Sequence, residues 1–173
     1  PIHAFSSTLK DLVNKKYDKG NEYFPPTTFQ ISNLNSGVGA TNIIPGQLSM
    51  DFNFRYSTET TCEGLMSDIT KIMDASDLEY SITWHHSGDP YLTEKKELLD
   101  ICVSATKEIL DVIPNISTDG GTSDGRFIAK ICDQVIEFGL INESIHKINE
   151  HTTENDLRNT VKVYSQILRN IFN

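Results

Sequence analysis

Long apolar runs and an excess of positive charge are both missing from this sequence. No apolar run approaches the roughly 18 residues that a membrane-spanning helix needs. The 15 Lys and Arg residues are outnumbered by 24 Asp and Glu residues, which gives a net charge of -9. A negative surplus disfavours contact with the phosphates of nucleic acids and with anionic membrane surfaces. We therefore expect a soluble protein without a nucleic-acid or membrane partner.

Cysteine is also scarce, and its spacing fits neither a disulfide framework nor a metal pair. The chain has three cysteines, Cys62, Cys102 and Cys132. They are widely separated, lie in apolar patterns and form no Cys-x-x-Cys pair. This usage is typical of reduced, buried thiols in a cytoplasmic protein.

Familiar catalytic signatures are absent too. There is no Gly-x-Ser-x-Gly motif to expose a serine nucleophile, and the spacing supports no Ser-His-Asp arrangement. The glycine-rich turn at 120–125 lacks the lysine of a phosphate-binding loop and the spacing of a dinucleotide fingerprint. The sequence therefore gives no sign of a serine hydrolase or of a nucleotide-binding enzyme.

The pattern of apolar residues predicts the order α-β-β-α-β in the first half of the chain. A helical pattern covers residues 2–16, and Ser57 or Thr58 is the predicted cap of a second helix at about 59–74. Alternating apolar and polar residues predict three strands, at 27–34, 47–56 and 78–84. This is the order of a ferredoxin-like sandwich without its first strand. We therefore expect further residues upstream of Pro1 and an open strand edge.

A turn sequence at 87–90 is the best candidate for a domain boundary, which divides the chain into domains 1–89 and 90–173. In the second domain, helices are predicted at 94–110, from Thr122 or Ser123 to about 130 and from Thr152 or Thr153 to 171, with a short buried strand at 133–138. This content is thin for an independent α/β domain. It indicates the closing part of an α/β domain whose opening part lies elsewhere.

His146 is the candidate metal ligand or general base. It lies in a polar loop before the last predicted helix, where an imidazole can serve either role. A zinc site needs several ligands and a second shell that orients them, so one histidine cannot form such a site alone. The residues alone leave an ordinary loop histidine as the alternative.

Two polar side chains and the glycine-rich turn are candidates for binding a carboxylate. Arg55 lies on the polar face of a predicted strand and Asn42 lies in a glycine-rich loop, and a guanidinium group matches carboxylate geometry. The turn at 120–125 leads into a predicted helix, whose free amides would favour an anion. The alternatives are a solvated strand arginine and a tight turn without a ligand.

Five segments carry a resemblance to a known family. They are GNEYFP at 20–25, GATNIIPG at 39–46, FNFRYSTE at 52–59, GGTSDGRF at 120–127 and IHKINE at 145–150. With these segments the chain closely resembles the C-terminal half of the bacterial succinyl-diaminopimelate desuccinylases, within the dinuclear zinc aminoacylase and carboxypeptidase superfamily. The similarity runs over the whole chain, and the GGTSDGRF and IHKINE segments are specific to these enzymes and their near relatives.

The resemblance implies a two-domain α/β enzyme. In this family a catalytic α/β domain holds two zinc ions, which cobalt can replace, and a smaller inserted lid domain forms a homodimer. Residues 1–89 match most of the lid, and residues 90–173 match the last part of the catalytic domain. The family reaction is hydrolysis of N-succinyl-LL-2,6-diaminopimelate to succinate and LL-2,6-diaminopimelate, for cytoplasmic synthesis of lysine and cell wall.

Individual roles also follow from the resemblance. His146 matches the last zinc ligand. Five residues match contacts with the N-succinyl amino acid substrate: Asn42, Arg55, Gly121, Thr122 and Asn142. The other zinc ligands, the bridging aspartate, the general-base glutamate and the lid histidine that stabilises the oxyanion belong to the family's N-terminal half.

The resemblance thus implies that these 173 residues contain one zinc ligand and no catalytic residue. Because a catalytic zinc needs about three protein ligands and an activated water, we expect the chain alone to be inactive. Two alternatives remain at this point. One is a related acylamino-acid deacylase such as acetylornithine deacetylase, and the other is a module that only dimerises or binds.

Overall fold

The computed structural model describes residues 1–120, 123–141 and 143–173 and has mixed α/β structure. Its elements, in chain order, are α1 (Ile2–Asn14), β1 (Thr28–Ser36), β2 (Leu48–Arg55), α2 (Cys62–Asp74), α3 (Glu97–Leu110), α4 (Gly125–Ile128) and α5 (Glu154–Phe172). The chain divides into a first unit, Pro1–Pro90, and a second unit, Tyr91–Asn173. Among the helices that the structure describes, none combines the length and the apolar character needed to cross a bilayer.

Strands β1 and β2 form an antiparallel pair in the first unit. Thr28 lies opposite Arg55 at one end of the pair, and Ser36 lies opposite Leu48 at the other. Along β2 the side chains alternate between half-buried and exposed positions. This alternation confirms the predicted strand, because successive side chains of a strand point to opposite faces of the sheet.

Helices α1 and α2 provide the buried core that packs on the apolar face of this sheet. Phe5 and Leu12 of α1 form one buried cluster with Ile69 and Met73 of α2. Half-buried residues of the sheet and of the segment after α2 complete the core: Phe29, Leu48, Met50, Phe52, Phe54, Leu78, Tyr80, Ile82 and Trp84. Full burial of such a side chain contributes roughly 1.5–3 kcal/mol. Apolar packing therefore holds the two helices on the sheet.

The strand predicted at 78–84 is not formed. Its side chains do alternate in burial as expected, and the ring of Trp84 meets that of Phe52 edge to face at 5.6 Å between centroids. The segment is nevertheless not part of the β1–β2 ladder. Apolar alternation determines which side chains reach the core, whereas a strand also requires a neighbouring backbone with free partners. The structure therefore gives a two-stranded sheet among the described residues.

Helix α2 begins later than predicted. The expected caps were Ser57 and Thr58, but the structure caps the helix with Thr61, whose Oγ1 accepts a hydrogen bond from Gly64 N at 3.1 Å. The hydroxyl of Ser57 donates to Asp18 Oδ2 at 3.2 Å and accepts from Glu59 N at 3.1 Å. Ser57 therefore lies in a short turn before α2, and the helix itself begins after Thr61.

Helices α3 and α5 form the core of the second unit. Cys102 and Ala105 of α3 pack against Val163 and Ile167 of α5 in a buried cluster. Half-buried apolar neighbours extend this cluster: Leu98, Ile101, Ile109, Leu110, Ile136 and Phe138. The predicted cap of α5 is confirmed, since Thr153 Oγ1 accepts from Asp156 N at 3.1 Å.

The strand predicted at 133–138 is absent, and α3 begins at Glu97 rather than at residue 94. One side chain occupies backbone groups in the middle of the segment at 133–138. Thr93 Oγ1 accepts from Val135 N at 3.0 Å and donates to Val135 O at 2.5 Å. A threonine hydroxyl therefore binds the peptide groups of Val135 that a strand ladder would use.

The cysteines are all free thiols, but they are not all buried. Cys102 is buried in the α3–α5 core, and burial raises the pKa of its thiol. Cys62 is half-buried at the start of α2, and Cys132 is exposed. The prediction of burial is therefore wrong for Cys132, which follows α4 and its turn.

Candidate active-site residues

Asp18 organises the turn between α1 and β1. Its Oδ1 accepts hydrogen bonds from Gly20 N at 2.7 Å and from Thr27 N at 2.9 Å. Its Oδ2 accepts from the hydroxyl of Ser57 at 3.2 Å, and Ser57 N in turn donates to Thr27 Oγ1 at 3.0 Å. Ser57 is almost completely buried, with 1% of its surface exposed. One carboxylate therefore ties the turn before β1 to the residues after β2.

Asn21 makes a second connection between the same two regions. Its Oδ1 accepts from the backbone amides of Tyr23 and Phe24, each at 2.9 Å. Its Nδ2 donates to Thr58 Oγ1 at 3.0 Å and to Glu59 Oε1 at 2.7 Å. The GNEYFP and FNFRYSTE segments are thus connected by hydrogen bonds. These bonds fix the C-terminal end of β2, where Arg55 is located.

The surroundings of Asp18 favour its ionised form. Burial alone would raise the pKa of this carboxyl group, but the hydrogen bonds from Thr27, Gly20 and Ser57 outweigh it and hold the pKa below its ordinary value. A carboxyl group with a depressed folded-state pKa stabilises the fold above its unfolded pKa, and this contribution is lost as the pH falls through the folded pKa.

Asp18→Asn should therefore destabilise the first unit at pH 7 by about 1–2 kcal/mol, since hydrogen bonds to a charged group are lost. The difference between variant and unsubstituted chain should shrink below about pH 4, where the carboxyl group of the unsubstituted chain takes up a proton. Urea unfolding followed by the fluorescence of Trp84, which packs in the first unit, measures both effects. Asp11→Asn, at an exposed position of α1, is the control. A constant difference from pH 7 to pH 3 would contradict the assignment.

The hydroxyl of Tyr56 fixes the last residues of the first unit. It lies 2.9 Å from Asp89 Oδ1, 3.0 Å from Gly88 O and 3.2 Å from His86 Nε2. Burial and the hydrogen bond to Asp89 raise the pKa of Tyr56, so the phenol remains a donor. Tyr56 directly follows Arg55, the last residue of β2. Its hydroxyl therefore anchors the segment at 86–89 beside the end of this strand.

Arg55 and Asn42 lie at opposite ends of the β1–β2 hairpin. Arg55 is the last residue of β2, whereas Asn42 lies in the loop that joins the two strands, and both are exposed. The eight residues of β2 alone span roughly 23 Å at about 3.3 Å per step. The structure therefore does not bring these two candidates together on one carboxylate within a single copy of the chain.

His146 lies in the loop before α5 and has a left-handed backbone. Its φ is 60°, and that of Asn149 is 64°. The hydroxyl of Ser144 donates to His151 O at 2.7 Å and accepts from His151 N at 3.1 Å, which closes the loop. Left-handed φ values are uncommon for residues other than glycine and persist where the surroundings impose them. This closed loop leaves the side chain of His146 exposed.

Metal ligands are not assembled within the described residues. Among 1–120, 123–141 and 143–173, no group of three or more His, Cys, Asp and Glu side chains could hold a metal ion. A catalytic zinc takes about three protein ligands. His146 alone therefore does not fit a complete zinc site, and its role as a ligand stays a prediction.

The helix after the glycine-rich turn is shorter than predicted. Helix α4 has only four residues, Gly125–Ile128, so its dipole is small and the expected anion site at a helix start is not supported. Gly120 has a φ of 126°, which is unfavourable for any residue with a Cβ atom. Three substrate-binding candidates, Gly121, Thr122 and Asn142, lie outside the described residues.

A hydrogen-bonded cluster borders this turn. Glu137 Oε1 accepts from the hydroxyl of Tyr91 at 2.5 Å and from the hydroxyl of Ser123. Ser123 Oγ accepts from Gly125 N at 3.0 Å. Burial, and next the hydrogen bond to Glu137, raise the pKa of Tyr91, so its phenol remains protonated. A Cβ on Gly125 would collide with the Tyr91 hydroxyl and lie 3.0 Å from Glu137 Oε1, so these side-chain ends would have to shift to admit it.

Sequence reasoning missed Glu137 and Tyr91. The available signal was a charged residue inside the otherwise apolar segment QVIEF at 134–138. Its partners come from a position 46 residues earlier and one 14 residues earlier, and no local pattern links them.

Comparison with known proteins places the chain in a family. The family model described as peptidase family M20/M25/M40 matches residues 8–170. The chain therefore belongs to the peptidase family M20/M25/M40.

Individual relatives are similar over almost the whole chain. The succinyl-diaminopimelate desuccinylase of Bordetella avium (strain 197N) is 50% identical over 171 residues, which are 99% of this chain and 45% of that protein. The enzyme of the same name from Vesicomyosocius okutanii is 51% identical over 172 residues, with 99% and 46% covered. That of Nitrosospira multiformis is 47% identical over 171 residues, with 99% and 45% covered. The chain spans less than half the length of these curated relatives.

Proposed function

We propose that this chain forms part of a metal-dependent amidohydrolase that hydrolyses N-succinyl-LL-2,6-diaminopimelate to succinate and LL-2,6-diaminopimelate. The observation that carries this proposal is the identity of about one residue in two with succinyl-diaminopimelate desuccinylases over 99% of the chain. The reaction belongs to the synthesis of lysine and cell wall. Zinc, or cobalt in its place, supplies Lewis-acid activation of the amide and of water in such enzymes.

In this proposal the two units have different tasks. The first unit belongs to a ferredoxin-like lid domain, and the second unit is the last part of the catalytic domain. His146 is one zinc ligand, and the left-handed backbone that presents its exposed side chain supports that role. The remaining ligands and the general base come from sequence outside these 173 residues.

The residues that the resemblance assigns to substrate carboxylates are considered separately in each unit. The guanidinium of Arg55 provides the positive charge that pairs with a carboxylate. Arg55 lies at the end of β2, beside the residues that Asp18 and Asn21 bind. Asn42, Gly121, Thr122 and Asn142 complete the proposed set through amide and hydroxyl groups. These residues bind and orient the substrate, and none of them is proposed to transfer a proton.

The hairpin geometry supports a homodimer. Arg55 and Asn42 are separated along β2 by roughly 23 Å, so one copy cannot apply both to one carboxylate. A second copy could place its own Asn42 near Arg55. Light scattering on the chain, whose protomer mass is 19.4 kDa, tests this proposal, and a monomer at all concentrations would count against it.

A chimera tests the proposed activity. It carries these 173 residues in place of the matching 171 residues of the Bordetella avium relative. With zinc, the chimera should release succinate from N-succinyl-diaminopimelate, whereas the 173-residue chain alone should give no turnover. N-acetylornithine serves as the comparison substrate. A folded chimera that prefers N-acetylornithine, or clear turnover by the chain alone, would refute the assignment.

A further inference from the structure

The hydroxyl of Tyr56 is surrounded by more acceptors than its one proton can serve. Asp89 Oδ1 lies 2.9 Å away and Gly88 O lies 3.0 Å away, and neither an ionised carboxylate nor a carbonyl oxygen can donate. His86 Nε2 lies 3.2 Å from the same phenol oxygen. A phenol has one proton to donate and also accepts through its oxygen. The protonation of His86 Nε2 therefore decides whether the cluster is satisfied.

The position of Asp89 determines where the proton on His86 lies. His86 Nε2 is 3.1 Å from Asp89 Oδ1 as well as 3.2 Å from the Tyr56 oxygen. Without a hydrogen on Nε2, its lone pair would face a carboxylate oxygen at hydrogen-bond distance, and the two would repel each other. With a hydrogen on Nε2, the ring donates to these two oxygens, while the phenol donates to Asp89 or to Gly88. The geometry thus requires an Nε2–H imidazole.

Water can compete for these contacts, so the cluster can open. The side chains of His86 and Asp89 are 42% and 50% exposed. Interactions between exposed charged groups contribute little to stability. Local openings of this kind cost less free energy than global unfolding. The segment at 86–89 should therefore detach from Tyr56 while the buried core of α1 and α2 stays folded.

The place of this cluster in the chain gives its opening a consequence. Asp89 lies one residue before the end of the first unit, Pro1–Pro90, and Tyr91 begins the second unit. Tyr91 is held in turn, because its hydroxyl donates to Glu137 Oε1 at 2.5 Å. Pro90 alone separates Asp89 from Tyr91 in the sequence, and its ring restricts φ. While the cluster is closed, little of the backbone between these two residues is free to bend.

We propose that Tyr56, His86 and Asp89 form a releasable latch, closed by the Nε2 proton of His86, that sets how much of the chain can bend where it leaves the first unit. With the latch closed, bending is confined to the surroundings of Pro90. With the latch open, residues 86–89 become free to bend as well. This inference does not depend on the function proposed above.

Cleavage of the Gly88–Asp89 bond by endoproteinase Asp-N, which cuts before aspartate, measures the open latch in the 173-residue chain. When opening and closing are fast relative to cleavage, the rate follows the population of the open form. Tyr56→Phe should raise the initial rate at this bond about tenfold, because a hydrogen bond to a charged group is lost. Tyr80→Phe is the matched control, since it removes a hydroxyl that donates to another carboxylate, Asp74 Oδ1, at 2.5 Å. A rate in Tyr56→Phe no higher than in Tyr80→Phe would overturn the latch.

A second bond for the same protease separates local opening from global unfolding. The Ser67–Asp68 bond lies within α2, so its cleavage requires the helix to unfold. In Tyr56→Phe its rate should stay within about twofold of the parent, because the core remains packed. An equal rise at both bonds would mean that the variant unfolds as a whole, and the proposal would fail.

The proton on His86 has a test of its own. His86→Ala should raise cleavage of the Gly88–Asp89 bond about fivefold, and His86→Gln should recover most of the loss because its amide Nε2 still donates. His85→Ala, at the exposed neighbouring position, is the control and should leave the rate unchanged. Nitrogen NMR of the folded parent should show an Nε2–H ring at His86. An unprotonated Nε2, or equal rates in His86→Ala and His85→Ala, would refute the role of this proton.

Discussion

Gly20→Ala should destabilise the first unit by about 3 kcal/mol. The φ of Gly20 is 67°, a conformation that costs a residue with a Cβ atom roughly 1–2 kcal/mol. An added Cβ would also collide with Phe24 O and lie 2.7 Å from both Pro25 C and Pro26 N. These are backbone atoms that cannot rotate away, so the turn itself must shift. That shift would weaken the hydrogen bonds of Asn21 to Thr58 and Glu59.

Gly39→Ala separates the collision from the strain of the backbone. Gly39 has a similar φ of 83°, but an added Cβ would meet no heavy atom within 4 Å. This control should lose only about 1 kcal/mol, from the left-handed conformation. Urea unfolding followed by Trp84 fluorescence compares the two variants in the same unit. Equal losses of unfolding free energy would mean that the close approach at Gly20 has no energetic consequence.

Local patterns predicted the features that depend on neighbours in sequence. The alternation of β2 and the cap of α5 at Thr153 were both predicted, because each is determined within a few residues. The two strands that did not form, at 78–84 and 133–138, had the correct apolar character. Each lacked a feature that periodicity does not contain, namely a backbone partner, and Thr93 binds the peptide groups of Val135 instead.

Hydrogen bonds between distant residues are a second feature that local patterns do not contain. Ser57 or Thr58 was expected to cap α2, but the Ser57 hydroxyl accepts from Glu59 N in a turn before the helix and donates to Asp18, 39 residues away. The same limitation applies to the candidate site. His146, Arg55 and Asn42 could be named from sequence, but the left-handed backbone of His146 and the placement of Arg55 and Asn42 at opposite ends of the hairpin could not. Those properties arise from loop closure and from strand pairing.

His146→Ala should reduce turnover of the chimera by about a hundredfold or more and lower its zinc content. Changing a group that only orients a metal ligand typically costs 10–100-fold in metal affinity or activity, and the loss of a ligand should exceed that effect. Because the His146 side chain is exposed, its truncation leaves no cavity in the core, so the stability of the fold should be nearly unchanged. Zinc per protomer, turnover and the urea midpoint should be measured on the same preparation.

His151→Ala is the matched control for this prediction. His151 lies in the same loop and is also exposed, and its Nδ1 lies 2.8 Å from Asn149 O. Its backbone, not its ring, makes the hydrogen bonds with Ser144 that close the loop. Substitution of this ring should therefore preserve both zinc content and turnover. If His146→Ala retained full zinc content and activity, the imidazole would have no role as a ligand, and the left-handed backbone at that position would need a purely structural cause.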